Sequence, residues 1–323
     1  MKIEEFKRIN SCFLPTPIHR LNNFSDLLES NIFMKRDDLT GNFFGGNKER
    51  KLEYIMADAI SKKSTTIVTV GSVTSNHNRI TAGFANRIGL KTELIIIEKE
   101  NINTLENWNY KLCKKLGAEI HIVKKNEVKE KIKNVIKNVE KKGEKPYFIE
   151  GGGHNILGTI SYIEMVRELF HQMKYLELIA DYIVLPVGTG TTYAGIIMGC
   201  KIFNYENVKV IGISIARDKK RCIEEISAII KDTEENLKTK ICDYSSNINI
   251  YDNYIGDGYS IPTKKSKNAI KIIAEKEGII LDPIYNGKAL SGLIELISDK
   301  KINGNIIYIN TGGIPNIFSN YKI

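Results

Sequence analysis

The sequence predicts an α/β fold built on open parallel sheets covered by helices. Two observations carry that expectation. Short β-branched runs alternate with helix-period segments along most of the chain, and glycine-rich breaks repeatedly stand where such a run hands over to a helix. At 323 residues the chain is long enough for a sizeable core, arranged as two domains or one large one.

Taken in order, Leu14-Pro15-Thr16-Pro17-Ile18 is extended, because each proline disfavours helix in the residue before it. Ile32 to Lys35 reads as a short strand, followed by the turn Arg36-Asp37-Asp38 and the glycine loop at Gly45-Gly46, from which a helix departs. Strand Ile67–Val70, helix Asn76–Arg87, strand Glu93–Ile97, helix Leu105–Leu116, strand Glu119–Val123, helix Val128–Lys141 and strand Tyr147–Ile149 then alternate. After Gly151-Gly152-Gly153 the pattern resumes with helix Leu157–Met173, strand Tyr182–Val187, helix Ala194–Ile202, strand Val208–Ile215 and helix Arg221–Leu237. Cys242 to Pro262 reads as irregular, Lys267–Lys276 and Ala289–Ile297 as helical, and Asn305–Ile309 as the last strand.

The formal charge of +9 raises the question of nucleic acid, but 47 Lys and Arg are interleaved with 38 Asp and Glu. The densest basic stretch, Lys124 to Lys145, carries Glu127, Glu130, Glu140 and Glu144 at helical spacings and reads as a solvated helix face. No nucleic-acid partner is expected. Cys12, Cys113, Cys200, Cys222 and Cys242 are odd in number and scattered, which fits free thiols in a reducing compartment and no metal site. The opening MKIEEFKRIN lacks the apolar core of a secretory signal and no apolar run reaches the length of a membrane span. The expectation is a cytoplasmic protein without membrane contact.

Four places carry chemistry. Lys48 falls in the first turn of a helix, whose partial positive charge disfavours an ammonium; it is either a nucleophilic amine fit for a Schiff base or one more solvated lysine. Gly188-Thr189-Gly190-Thr191-Thr192, between a strand and a helix, is an anion site or a tight turn with capping threonines. It fits neither a P-loop nor a dinucleotide fingerprint. Ser75 and Asn76 offer a hydroxyl and an amide at a strand's carboxyl end, or simply cap the helix; His77 beside them has a local hydrogen bond as its ordinary role. Tyr259 and Tyr285 follow turn residues, where a tyrosine stacks on a ring, moves a proton or edges the core. Thr311 closes the last strand at the same edge.

In this order the segments resemble the tryptophan-synthase-β-like (fold type II) enzymes that use pyridoxal 5′-phosphate, and within them the D-cysteine desulfhydrase and 1-aminocyclopropane-1-carboxylate deaminase family. Gly-Gly-Asn-Lys-Glu-Arg-Lys (45–51) and Ser75-Asn76-His77 are its specific parts. The resemblance implies a large cofactor-binding domain, 1–46 plus 162–323, with a small domain, 47–161, inserted in it, and a homodimer. It implies that Lys48 carries the cofactor, that Asn47 and Asn76 sit near the ring or the substrate carboxylate, and that Ser75, Asn76 and His77 face the substrate. Gly188, Thr189, Gly190, Thr191 and Thr192 would hold the phosphate, Tyr259 and Tyr285 match two active-site tyrosines, and Thr311 lies near the pyridine nitrogen. Lys48, Ser75, Tyr259 and Tyr285 are thereby the candidate catalytic residues.

The implied reaction is a lyase or deaminase step on a small amino acid, foremost α,β-elimination of D-cysteine or a related β-substituted amino acid to pyruvate, ammonia and the leaving group. The alternatives are 1-aminocyclopropane-1-carboxylate deamination, a biosynthetic β-replacement on the same fold, and a noncatalytic cofactor-binding protein. The chain departs from the family pattern at Ser72, Thr74, Gly153-His154 and Thr191, and Asn286 stands where the cyclopropane deaminases carry a glutamate facing the pyridine nitrogen.

Overall fold

The computed structural model describes residues 3–100, 102–241 and 248–319; Cys242 lies outside them. The strands form two sheets. The larger has six strands in the order β1 (Ile18–Arg20), β2 (Asn31–Arg36), β10 (Asn305–Asn310), β7 (Tyr182–Val187), β8 (Lys209–Ser214) and β9 (Asn249–Tyr251). The smaller has four, in the order β5 (Glu119–Val123), β4 (Lys91–Ile97), β3 (Thr66–Ser72) and β6 (Pro146–Ile149), all parallel. The smaller sheet is thus cut from one continuous stretch of chain, whereas the larger is assembled from both ends.

Alternation along the large-sheet strands sends neighbouring side chains to opposite faces, and both faces are covered. Ile183, Leu185, Ile307 and Ile309 pack with Val166, Leu169, Ile196 and Ile226 from α6 (Ile156–Tyr175), α7 (Thr191–Ile202) and α8 (Lys219–Leu237). On the other side Val184, Ile306 and Tyr308 meet Phe24, Ile270, Ile273 and Leu293 from α1 (Asn22–Leu28), α9 (Lys264–Glu277) and α10 (Asn286–Ser298). In the smaller unit, Leu52, Ile55 and Met56 of α2 (Asn47–Ser61) join Ile80 and Phe84 of α3 (Asn76–Arg87) on Ile67 and Ile149. Val135 and Val139 of the lysine-rich α5 (Val128–Lys141) bury against Val68, Ile95 and Val123, with the lysines Lys129, Lys131, Lys133, Lys137 and Lys141 turned to solvent or its edge.

Several local expectations change. The large sheet is parallel except at its edge, where β1 runs antiparallel to β2. Helix α1 fills a stretch with no helical periodicity long enough to read, and β9 lies inside the segment expected to be irregular. The helix expected over 105–116 is a 3-10 turn at Thr104–Glu106 followed by α4 (Trp108–Lys115), because the Asn107 side chain accepts from the N–H groups of Asn109 and Tyr110 and starts the helix afresh.

Behind the start of α2 lies a buried ionic cluster. Arg50 bridges Asp37 and Glu168 at 2.9 Å each, Lys35 donates to Glu168 at 2.5 Å and to the Thr16 carbonyl at 2.7 Å, and the Tyr162 hydroxyl donates to Asp37 at 2.6 Å. Removing one partner from such a cluster strands a buried charge, so the network fixes the position of α2 against β2 and α6.

Candidate active site

Loops from the carboxyl ends of β3, β6, β7 and β10 converge around the first turn of α2, where parallel sheets place their ligands. Gly45 and Gly46 deliver the chain to that turn with φ of 58° and 123°. A Cβ on Gly45 would lie 2.0 Å from the Asp38 carbonyl oxygen, so no other residue fits. The Asn47 N–H then donates to the Thr311 carbonyl at 3.1 Å, tying the helix start to the end of β10.

Lys48, half-buried, has its pKa pushed down from 10.5 to about 8. The principal cause is burial, which adds to the helix-end effect expected from sequence. One turn on, the fully buried Lys51 donates to the Gly152 carbonyl at 3.3 Å, and burial together with the Lys48 charge holds its amine well below the ordinary value. Two amines so placed cannot both keep their protons at neutral pH, and an uncharged amine is a nucleophile.

The Gly188–Thr192 loop faces this pair. Gly190, at φ 87°, caps α7, leaving the first N–H groups of that helix without intrahelical partners. Thr192 accepts from the Asn47 amide at 3.0 Å. A Cβ built on Gly152 would lie 3.2 Å from Thr189 Cγ2 and 3.7 Å from Lys48 Nζ, so this glycine keeps open the space between lysine and loop. Arg217, after β8, donates to the Gly188 carbonyl at 2.6 Å. Open N–H donors, the half-buried Arg217 and a low-pKa amine fit a phosphate monoester that also carries an aldehyde.

At the other end, Asn286 is fully buried and its amide is wholly engaged. Its Nδ2 donates to the Gly312 carbonyl at 2.7 Å and to Asp282 Oδ1 at 2.9 Å, while its Oδ1 accepts from the Thr311 N–H at 3.1 Å and the Thr311 hydroxyl at 3.5 Å. Asp282 is equally spent, accepting from the backbone N–H groups of Ile284, Tyr285 and Asn286. Gly313 separates Asp282 from Asn76: its built Cβ would stand 3.0 Å from Asp282 Oδ1 and 2.9 Å from Asn76 Nδ2. The Asn76 oxygen is held by Arg79 at 3.2 Å and Asn109 at 3.1 Å, which turns its N–H₂ group toward Gly313.

Ser75 caps α3 by accepting from the Asn78 N–H. Tyr259 and Tyr285 bring their hydroxyls to 2.5 Å, and Ser72 lies 3.5 Å from the Tyr259 oxygen. His77 instead faces β3. Thr69 gives its one hydroxyl proton to the Ile149 carbonyl at 2.7 Å, so His77 Nε2, 2.9 Å away, is the donor between them, and the ring is held neutral by burial and by Lys48 and Lys51. The sequence reading gave Lys51, Gly152 and Asp282 no role of their own, although each lies in a segment that it marked.

Comparison with known proteins is consistent with this geometry. A family model described as "Pyridoxal-phosphate dependent enzyme" matches residues 9–312. A Pyrococcus abyssi protein, provisionally named 1-aminocyclopropane-1-carboxylate deaminase, is 37% identical over 98% of this chain and 94% of its own length. A Serratia proteamaculans D-cysteine desulfhydrase is 30% identical over 98% and 97%. A crystal structure described as an ACC deaminase homologue superposes with a TM-score of 0.90 at 35% identity, covering 98% of this chain and 94% of that one. Serine racemase from Dictyostelium discoideum shares the fold, with a TM-score of 0.66 at 18% identity over 95% and 93%.

Proposed function

This chain belongs to the pyridoxal-phosphate-dependent enzyme family and has its fold type II architecture, and from that premise we propose a lyase that removes the β-substituent of D-cysteine or a closely related amino acid, giving pyruvate, ammonia and the leaving group. The observation that carries the choice of reaction is Asn286. The residue after Tyr285 is neutral and committed to Thr311, Gly312 and Asp282, so the end of β10 offers a hydroxyl and no free carboxylate. Expulsion of a thiolate, a good leaving group, asks less of the site than opening a cyclopropane ring.

When bound, the cofactor supplies a conjugated ring that accepts electron density from the substrate's α-carbon. The protein supplies the rest. The Gly188–Thr192 loop and Lys51 would hold the phosphate, Asn47 and Asn76 would orient the ring and substrate, and Ser75 would face the substrate. Lys48 would carry the cofactor, and its amine, which burial keeps easy to deprotonate, would take the α proton. The Tyr259–Tyr285 pair, its hydroxyls in contact, hands a proton to the departing group. Lys48→Ala is expected to abolish both the visible absorbance of the lysine-bound cofactor and turnover; a coloured, active Lys48→Ala protein would sink the assignment.

A second reading is 1-aminocyclopropane-1-carboxylate deamination, favoured by the name of the 37%-identical relative. Assaying pyruvate from D-cysteine against the four-carbon keto acid from the cyclopropane substrate separates the two. We place the protein in the cytoplasm as a homodimer, with 47–161 as its small domain. Free Cys12, Cys113, Cys200 and Cys222 support a reducing compartment, and exposed Tyr175, Leu176 and Ile179 at the end of α6 offer an apolar face for a second copy, to be checked by sedimentation.

A further inference from the structure

We propose that His154 is a positioning residue for the cofactor's phosphate: acting through Thr191, it turns the hydroxyl at the first residue of α7 into a donor to the phosphate. This rests on the pyridoxal-phosphate reading above.

Two departures from the family pattern meet here. Thr191 stands where a glycine is usual and His154 where another residue is expected, and although they are far apart in sequence their Oγ1 and Nδ1 atoms lie 2.7 Å apart. A glycine at 191 would leave that ring nitrogen without its partner. Thr191 is fully buried and Thr189 Oγ1 lies 3.4 Å beyond it, so the imidazole, the Thr191 hydroxyl and the Thr189 hydroxyl form a line running into the loop.

Proton bookkeeping decides the direction of that line. Burial and the cations Lys51, Arg217 and Lys48 outweigh Glu225 and hold His154 at about 4, so at neutral pH the ring carries one N–H. Thr191 has one hydroxyl proton as well. With an anion in the loop that proton is drawn to the anion, as a charge-assisted hydrogen bond, and the Thr191 lone pair then faces Nδ1. The ring must therefore be the Nδ1–H tautomer. His154 thus orients the threonine in the way a second residue behind a ligand fixes its geometry, without touching the phosphate itself.

The test compares affinity of the cofactor-free protein for pyridoxal 5′-phosphate and for pyridoxal, which lacks the phosphate, by absorbance titration. His154→Ala is expected to weaken binding of the phosphorylated compound by about tenfold and of pyridoxal by less than about twofold. His154→Asn, which keeps an N–H near the Nδ1 position, is expected to restore most of the loss. Thr191→Val combined with His154→Ala should bind no more weakly than Thr191→Val alone. Equal losses for both compounds, or additive losses in the double variant, would overturn the proposal, as would an Nε2–H tautomer in ¹⁵N spectra of the loaded protein. A wild-type protein that takes up neither compound would instead defeat the cofactor reading. Inorganic phosphate then decides for His154: weaker phosphate binding by His154→Ala supports the positioning role, and unchanged binding ends it.

Discussion

Around Gly188–Thr192 the chain presents donors: the unpaired N–H groups opening α7, the threonine hydroxyls, and Lys51 beside Lys48. Around Thr311 it does the reverse, for Asn286 and Asp282 consume each other's polar atoms together with those of Thr311, Gly312 and the backbone at 284–286. The first region is arranged to be completed by a ligand, the second is complete without one. A saturated network serves as a rigid reference surface, whereas an unsaturated one, costly to bury empty, gains most on binding. Stability and cofactor capture should therefore respond to substitution at opposite ends.

The largest expected effect is on the saturated end. Asn286→Leu removes an amide that satisfies five groups, the Tyr308 hydroxyl among them, stranding the buried Thr311 N–H and Gly312 carbonyl, and is expected to cost about 2–4 kcal/mol in urea unfolding of the cofactor-free protein. A cost below about 1 kcal/mol would show that this end is not the rigid one. Next, Gly152→Ala, at φ 79° and against Thr189, is expected to cost about 1–2 kcal/mol and to slow cofactor uptake, since its methyl enters the space beside Lys48. Stability loss without slower uptake would move the ligand space elsewhere. The mildest test changes only pH. With the Lys48 amine at about 8, the free amine grows from roughly one-tenth to nine-tenths between pH 7 and pH 9, so the rate of cofactor capture should rise about tenfold across that interval and then level. A flat profile would mean that Lys48 is already uncharged at pH 7.

Regular elements were legible where one rule dominates. Asn76–Arg87 and Tyr182–Val187 match their expected spans, because a clean helical or strand pattern is bounded by a capping serine in one case and a glycine loop in the other. The glycine loops marked the candidate site because turns at strand ends leave a strong local trace. What escaped was set by distant partners. The short α1 depends on burial of Phe24 against the far side of the large sheet, the contact between His154 and Thr191 joins two loops, and the engagement of Asn286 by Thr311 and Asp282 could not be read from an isolated asparagine. Lys48 illustrates both: its helix-end position was visible in sequence, but the burial that dominates its acidity was not.

The placement of β10 has a consequence for synthesis. This strand sits between β2 and β7, at the middle of the larger sheet, yet it is synthesised some 270 residues after β2. The smaller sheet, confined to residues 66–149, can close while translation continues. The larger cannot, because its amino-terminal strands must wait for a partner encoded some 270 residues downstream, a long-range closure of the kind that slows folding. Thr311, whose carbonyl anchors Asn47, and Gly312 follow directly on that same strand. A nascent chain stalled before residue 305 would therefore carry a folded smaller unit and Lys48 itself, yet lack the surface against which that lysine is set.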